Sequence, residues 1–252
     1  MNRKLGWEEI TGILFFMAGA GMLGVSVFLS FSSDLWYDEV FTMGLAGQSL
    51  KGLVSTTARD VHPPLYYIIV KLFLLLFPSV AVEGQVIITK LVSVFPFFLC
   101  LIYSAVKVRK HFGMLSAGIF AFLLLAMPQM ADYTVEMRMY GYAMFFLTAG
   151  MLHAYELTIS RDKGRKDYIN WIALTFYGLA ACYTHYFACV GACMIYLYVL
   201  LFFCKEGRIK RKWKEFLVSG FLCVAGYLPW LVSAVTFQVG QVKENYWIQP
   251  LT

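Results

Sequence analysis

The chain has 252 residues, of which 60% are hydrophobic, 17% aromatic and only 14% charged. A water-soluble domain carries about 25% charged residues, and several charge-free stretches here exceed the roughly 18 apolar residues that mark a spanning helix. The net charge of +6 resides in short loops between apolar runs, which excludes a nucleic-acid surface and follows the bias of membrane-protein loops.

In chain order, Asn2, Arg3 and Lys4 precede a first apolar run over about 10–31. That run is longer than the roughly 7–15 apolar residues of a signal peptide, so it reads as a retained anchor. Residues 32–85 form an external segment, with a loop over about 32–62. Within it, about 38–59 places Phe41, Leu45, Leu50, Leu53 and Val54 among polar residues and predicts an amphipathic helix on the membrane surface. Pro63 and Pro64 suit the start of a second helix, over 64–77. It is apolar but short, which predicts an interfacial or re-entrant helix. Further spans are predicted over about 86–106, 113–131, 139–159, 168–183, 188–204 and 216–237.

Four basic clusters fix the expected topology. They are Arg3 and Lys4; Lys107, Arg109 and Lys110; Arg161, Lys163, Arg165 and Lys166; and Lys205, Arg208, Lys210, Arg211, Lys212 and Lys214. Together they hold 15 of the 21 Lys and Arg. If all are cytoplasmic, the spans between consecutive clusters come in even numbers. The expectation is an all-α membrane protein of about seven transmembrane helices plus two juxtamembrane helices between the first two spans. Its N-terminus is cytoplasmic and its C-terminus external. Lys51, Arg138 and His185 then lie outside, and Lys107, Arg161 and Lys210 inside. Cys100, Cys182, Cys189, Cys193, Cys204 and Cys223 all fall in apolar segments and read as buried thiols.

Four polar motifs fall on the expected external face. Trp36-Tyr37-Asp38-Glu39 follows the first span, where a carboxylate at a helix start is favoured by the dipole and could serve as a general base. Arg59-Asp60-Val61-His62-Pro63-Pro64 is either a turn in which His62 caps the next helix or a rigid joint that aims Arg59 and His62 at an anionic headgroup. Glu136-Met137-Arg138 is either an internal ion pair or a lipid-phosphate site using the Arg138 fork. Tyr183-Thr184-His185-Tyr186 is either an aromatic belt or a further part of one site. Their convergence on one face points to a reaction site at the membrane–water boundary. A transport path would instead place polar residues at the midplane.

In this order and spacing, Asp38-Glu39, His62-Pro63-Pro64-Leu65-Tyr66-Tyr67, Glu136-Met137-Arg138-Met139-Tyr140 and His185-Tyr186 resemble the GT-C superfamily of membrane glycosyltransferases. The likeness is to bacterial relatives of protein O-mannosyltransferases and of lipid A aminoarabinose transferases. It covers essentially the whole chain, 1–252, as one module. It implies an inverting transfer from a polyprenyl-phosphate sugar donor to an extracytoplasmic acceptor (protein, lipid or glycan) in a bacterial cell membrane. By resemblance, Asp38 is the base and Glu39 its partner. Arg59, His62, Tyr66, Glu136, Arg138, Tyr140, His185 and Tyr186 are the expected substrate-binding residues. A divalent metal, Mg or Mn, would suit the chemistry, but no residue pattern indicates one. Members of the superfamily continue well past this length, so a C-terminal half is expected as partner or continuation. The rival expectation is a non-catalytic membrane subunit or lipid-phosphate binder built on the same module.

Overall fold

In a computed structural model, which describes residues 6–32, 34–160 and 165–244, every regular element is a helix. The helices are α1 (Trp7–Leu29), α2 (Tyr37–Gly47), α3 (Leu50–Thr57), α4 (Leu65–Leu75), α5 (Val82–Tyr103), α6 (Arg109–Ala126), α7 (Met130–Val135), α8 (Tyr140–Ile159), α9 (Arg165–Thr184), α10 (Tyr186–Lys205) and α11 (Ile209–Glu244). Arg3, Lys4, Arg161, Lys163 and the segment from Tyr246 to Thr252 lie outside the described residues. Among the described residues, four stretches are long and apolar enough to cross a membrane: Trp7–Leu29, Val82–Ala126, Tyr186–Lys205 and Lys212–Gln238.

The stretch Val82–Ala126 is not one rod. A π-helical segment, Ser104–Val108, follows α5. The backbone then turns at Gly113, whose φ of 85° is open to glycine and strained for other residues. The Ser104 hydroxyl donates to the Ala117 carbonyl at 2.7 Å. In a straight helix 13 residues span about 20 Å, so the chain has folded back on itself. After the turn α6 packs closely along α1. A Cβ at Gly12 or Gly118 would run into the facing backbone, and small residues of this kind let helices approach closely in a membrane.

Contacts fix the directions of the long helices. Tyr142 of α8 donates to the Val92 carbonyl of α5, and farther along the same two helices Tyr103 meets His153. Asn170 of α9 reaches His153, while Thr175 and Tyr183 of α9 reach Ser219 and Gly226 of α11. Among the described residues, α1, α5, α6, α8, α9, α10 and α11 therefore alternate in direction through one bundle. One end is basic: Arg109 lies 4.0 Å from Glu9, Lys107 pairs with Glu156, and Arg208 donates to the last carbonyls of α8. Asp38, Arg138 and His185 sit at the opposite, polar end.

Several local expectations are corrected. The surface helix expected over 38–59 is two helices, because the chain breaks at Gln48 and Ser49 caps α3 by accepting from Gly52 N at 3.1 Å. Helix α6 stops at Ala126 rather than near 131, because Pro128 holds Met127 extended. Of the six thiols expected to be buried, Cys100 and Cys182 are buried and Cys189 and Cys223 half-buried, whereas Cys193 and Cys204 are exposed. Both lie on the outer faces of an apolar helix, where hydrocarbon rather than water would be the neighbour.

Helix α4 spans only about 16 Å and is too short to cross a bilayer. Its inner face, Tyr66, Tyr67 and Val70, is fully buried against the bundle, while Leu72 and Leu75 on its outer face, and Leu76 and Phe77 just beyond its end, are exposed.

Candidate functional site

Helix α2 builds the site by holding a loop from a distant part of the chain. Glu39 is 3% exposed. Its Oε1 accepts from Met137 N at 2.9 Å and its Oε2 from Trp36 N at 3.2 Å. Thr42, one turn later on the same face, donates its hydroxyl to the Met137 carbonyl at 2.9 Å. The backbone N–H and C=O of one residue are thus both tied to α2. With buried Met137 as the pivot, Glu136 and Arg138 are fixed on either side of it. Glu39 has spent both oxygens on backbone amides, so its role in this geometry is positioning.

Arg138 is 7% exposed yet poorly partnered. Its Nη2 lies 3.4 Å from Asp38 Oδ2, longer than the roughly 2.7–2.9 Å of a good charge-assisted bond. Its Nε is buried without any hydrogen-bond partner. The Tyr67 hydroxyl is also buried without a partner. Burial raises the Tyr67 phenol above its ordinary value, with nearby Arg138 opposing and Asp60 and Asp38 adding to the rise. Buried polar groups are nearly always paired, so two orphan donors in one small region are unusual.

Aromatic and imidazole rings continue the site. The Arg138 guanidinium lies 6.0 Å from the Tyr140 ring centre, Tyr140 is 5.8 Å from His185, and His185 is 5.6 Å from His62. His62 in turn lies 3.6 Å from Asp60. His185 caps α10, its Nδ1 accepting from Phe187 N at 3.1 Å. That bond leaves Nε2 to carry the proton, so His185 offers a third donor. Burial lowers its pKa, and His62 and Arg138 lower it further, so the ring is neutral near pH 7.

Glu136 faces a neighbouring open cavity of about 410 Å³, shared with Glu39, Asp34, Trp36, Lys90, Asp132 and Tyr133. Burial raises its pKa, Arg138 opposes, and Glu39 and Asp38 add to the rise. Asp38 itself is 35% exposed at its side chain. It combines solvent access with a direct ion pair to Arg138.

Three of the expected binding residues go elsewhere. Tyr66 is fully buried, with its hydroxyl 2.7 Å from Ser93 Oγ; its place is in the core, and the next residue, Tyr67, reaches the site instead. Tyr186 donates to Gln238 Oε1 at 2.5 Å, and Gln238 donates on to the Thr57 carbonyl, so Tyr186 braces α3 against α11. Arg59 lies over the Phe237 ring at 5.9 Å and lines a separate groove with Lys51. Sequence reading missed Tyr67 and Thr42. The alternation of adjacent positions on a helix gave no basis for choosing Tyr67 over Tyr66, and Thr42 looks like an ordinary surface-helix threonine.

Among the described residues, no three His, Cys, Asp or Glu side chains converge as metal ligands. The fold and site define an all-helical, membrane-type bundle with a donor-rich polar site at one end. The chain matches no family model, no curated protein and no solved structure.

Proposed function

We propose that this chain is the membrane module of an inverting glycosyltransferase that takes its sugar from a polyprenyl-phosphate carrier. The observation that carries the reading is the pair of buried, unpartnered donors, Tyr67 OH and Arg138 Nε, beside a partly open Asp38. Neither donor is bonded to the nearby carboxylates, and a phosphate oxygen seated between them would supply the missing acceptor. In the proposed reaction the carrier phosphate sits against Arg138, Tyr67 and the His185 Nε2–H. The acceptor hydroxyl gives its proton to Asp38 while its oxygen bonds to the anomeric carbon from the face opposite the phosphate. The C–O bond to phosphate breaks, and the electron pair leaves on the carrier phosphate, whose developing charge the three donors stabilise. Glu39 and Thr42 hold the Met137 loop so that this geometry exists before the donor arrives.

All seven long helices are proposed to cross the bilayer, with the polar end external and the basic end cytoplasmic. The positive-inside bias supports this orientation, and α2, α3 and α4 then lie at the external interface. Cysteine labelling with an impermeant reagent, in a background freed of native Cys, tests it: the exposed positions 51 and 133 label in intact cells, and positions 107 and 110 do not. Labelling of position 107 from outside would overturn it.

The catalytic reading is tested with a polyprenyl-phosphate-linked radiolabelled sugar and the chain in membranes together with any C-terminal continuation. Asp38→Asn removes the base but keeps size and hydrogen bonding. Transfer falls by about 10²–10⁴-fold while donor binding persists. Near-normal turnover in Asp38→Asn would exclude Asp38 as the base. A module that binds donor but in which native Asp38 supports no turnover would favour the non-catalytic binder.

A further inference from the structure

A second site lies at the other end of the molecule. Helices α9 and α11 run side by side there and leave a groove of about 530 Å³ between them. Its register is fixed at three levels. Lys212 pairs with Asp167 at the basic end, the Phe216 ring lies 6.3 Å from Trp171, and Ser219 meets Thr175 at 2.7 Å deeper in. The groove runs from Tyr168 and Lys214 inward to Phe176 and Leu222, a length of about 12 Å along the helices. Its walls are apolar and open outward: Ile172 is 69% and Phe176 61% exposed.

Two features set this groove apart from ordinary lipid-facing surface. The first is Trp171, which lines it. Trp171 is 5% exposed, its ring is edge-on to Phe203 and Phe216, and its Nε1–H is buried with no acceptor. An indole N–H buried in apolar surroundings normally finds a partner. Neither Thr175 nor Ser219 is bonded to it: the Thr175 hydroxyl donates to the Trp171 carbonyl, and Ser219 meets Thr175 and Tyr196. The second is charge at the mouth. Lys214 is exposed at the rim beside Glu215. In sequence, Lys214 belongs to a run from Lys205 to Glu215 with six Lys and Arg against two acids, Glu206 and Glu215; of these, Lys212 is already paired with Asp167 and Arg208 bonds the end of α8. Basic pockets between membrane helices recruit anionic lipid headgroups.

We propose that this groove binds one anionic glycerophospholipid of the bilayer, with its phosphate at Lys214, an ester carbonyl on the Trp171 Nε1–H and an acyl chain along Ile172, Phe176 and Leu222. The vertical spacing fits. Trp171 is level with Phe216, two residues and about 3 Å deeper than Lys214. That depth lies within the headgroup layer, which is about 5–7 Å thick on each side of the hydrocarbon. The ester acceptor supplies the bond that the indole lacks, and the phosphate pairs with Lys214. Occupancy would also wedge α9 against α11.

The test is native mass spectrometry of the full chain released from nanodiscs of equal parts phosphatidylglycerol and phosphatidylcholine. The wild type retains one phosphatidylglycerol in preference to phosphatidylcholine. Lys214→Gln lowers that retention about fivefold. Trp171→Phe, which keeps the ring packing, lowers it about two- to tenfold. Lys51→Gln, at the opposite end, leaves it unchanged. Equal retention of the two lipids by the wild type would overturn the proposal. So would phosphatidylglycerol retention that is the same in the Lys214→Gln and Trp171→Phe proteins as in the wild type, or that falls as far in Lys51→Gln. If Trp171→Phe does not fold, Lys214→Gln against Lys51→Gln decides alone.

Discussion

Two polar clusters, one at each end of the bundle, use the same kinds of side chain to opposite effect. At the basic end Glu156 accepts from Lys107 at 2.6 Å, Lys110 at 2.9 Å and His111 at 2.9 Å. Behind it His153 Nδ1 meets Asn170 Oδ1 at 2.8 Å, its Nε2 meets Tyr103, and Tyr103 meets Tyr177 at 2.6 Å. Each of these polar side chains has a partner. Lys107 Nζ, 3.5 Å from His153 Nδ1, is best seen as a neighbour, because that nitrogen already serves Asn170. At the polar end a carboxylate, a cation, a histidine and a tyrosine also gather, but Arg138 Nε and Tyr67 OH are left over. A closed network specifies structure, whereas an open one with buried orphan donors is prepared for a ligand. The lesson is that residue type did not distinguish the two clusters; hydrogen-bond completeness did.

The sharpest break of this comparison is a pair of isosteric changes. Asp38→Asn should leave thermal stability in detergent nearly unchanged, because Asp38 is partly exposed and its ion pair is long, while turnover falls by the two to four orders of magnitude given above. Glu156→Gln should do the reverse. It leaves Lys107, Lys110 and His111 facing a neutral amide and costs about 3 kcal/mol, the low end for breaking a buried pair since Lys110 is 61% exposed. Stability loss in Asp38→Asn equal to that in Glu156→Gln would make the two clusters alike.

Arg138→Ala comes next. Removing a charge-assisted partner of the phosphate should weaken donor binding by about 10–150-fold, the equivalent of about 1.5–3 kcal/mol. If Arg138 served only to hold Asp38, donor affinity would not move. Tyr67→Phe is smaller and more diagnostic. Its hydroxyl is unsatisfied in the empty protein, so its loss should be neutral or slightly stabilising. Donor binding should nevertheless weaken by about two- to tenfold. Tyr103→Phe, in the closed network, should show the opposite pattern, with lower stability and unchanged binding.

How much of this could be read from the sequence follows from what each feature depends on. The long helices were legible because apolar runs and charged loops are local properties. The shortness of α4 was legible from its length. The split between α2 and α3 was signalled by Gly47 and Ser49, but the apolar periodicity over 38–59 outweighed it. The gathering of Asp38, His62, Glu136 and His185 at one end was an expectation from topology and from the family resemblance, whereas the turn of Glu136 toward a neighbouring cavity left no local signal. The choice of Tyr67 over Tyr66 was not legible, because it turns on which face of α4 meets Ser93. The work of Glu39 and Thr42 on Met137 was hidden for a similar reason, since a side chain 95 to 98 residues away along the chain from its backbone partner leaves no local signal.

The smallest expected effect is a pH dependence. Burial, then His62 and Arg138, lower the His185 pKa from its ordinary 6.5. The unfolded chain therefore takes up this proton more readily than the folded one. The neutral ring carries no stability penalty above that value, and stability is lost as pH falls below it. A bound phosphodiester, which does not itself titrate in this range, favours the imidazolium. Donor binding then takes up a proton, and affinity should rise about two- to fivefold from about pH 8 to about pH 6. His185→Gln should flatten that slope.

The most direct test of the central claim is equilibrium binding of a polyprenyl phosphate to the purified chain in detergent, with thermal unfolding measured on the same samples. The account predicts saturable binding by the wild type, a two- to tenfold weaker affinity for Tyr67→Phe at unchanged or higher stability, and the larger loss for Arg138→Ala. Equal affinity in all three proteins, with each of them folded, would contradict it: the orphan donors would then not be the carrier-phosphate site.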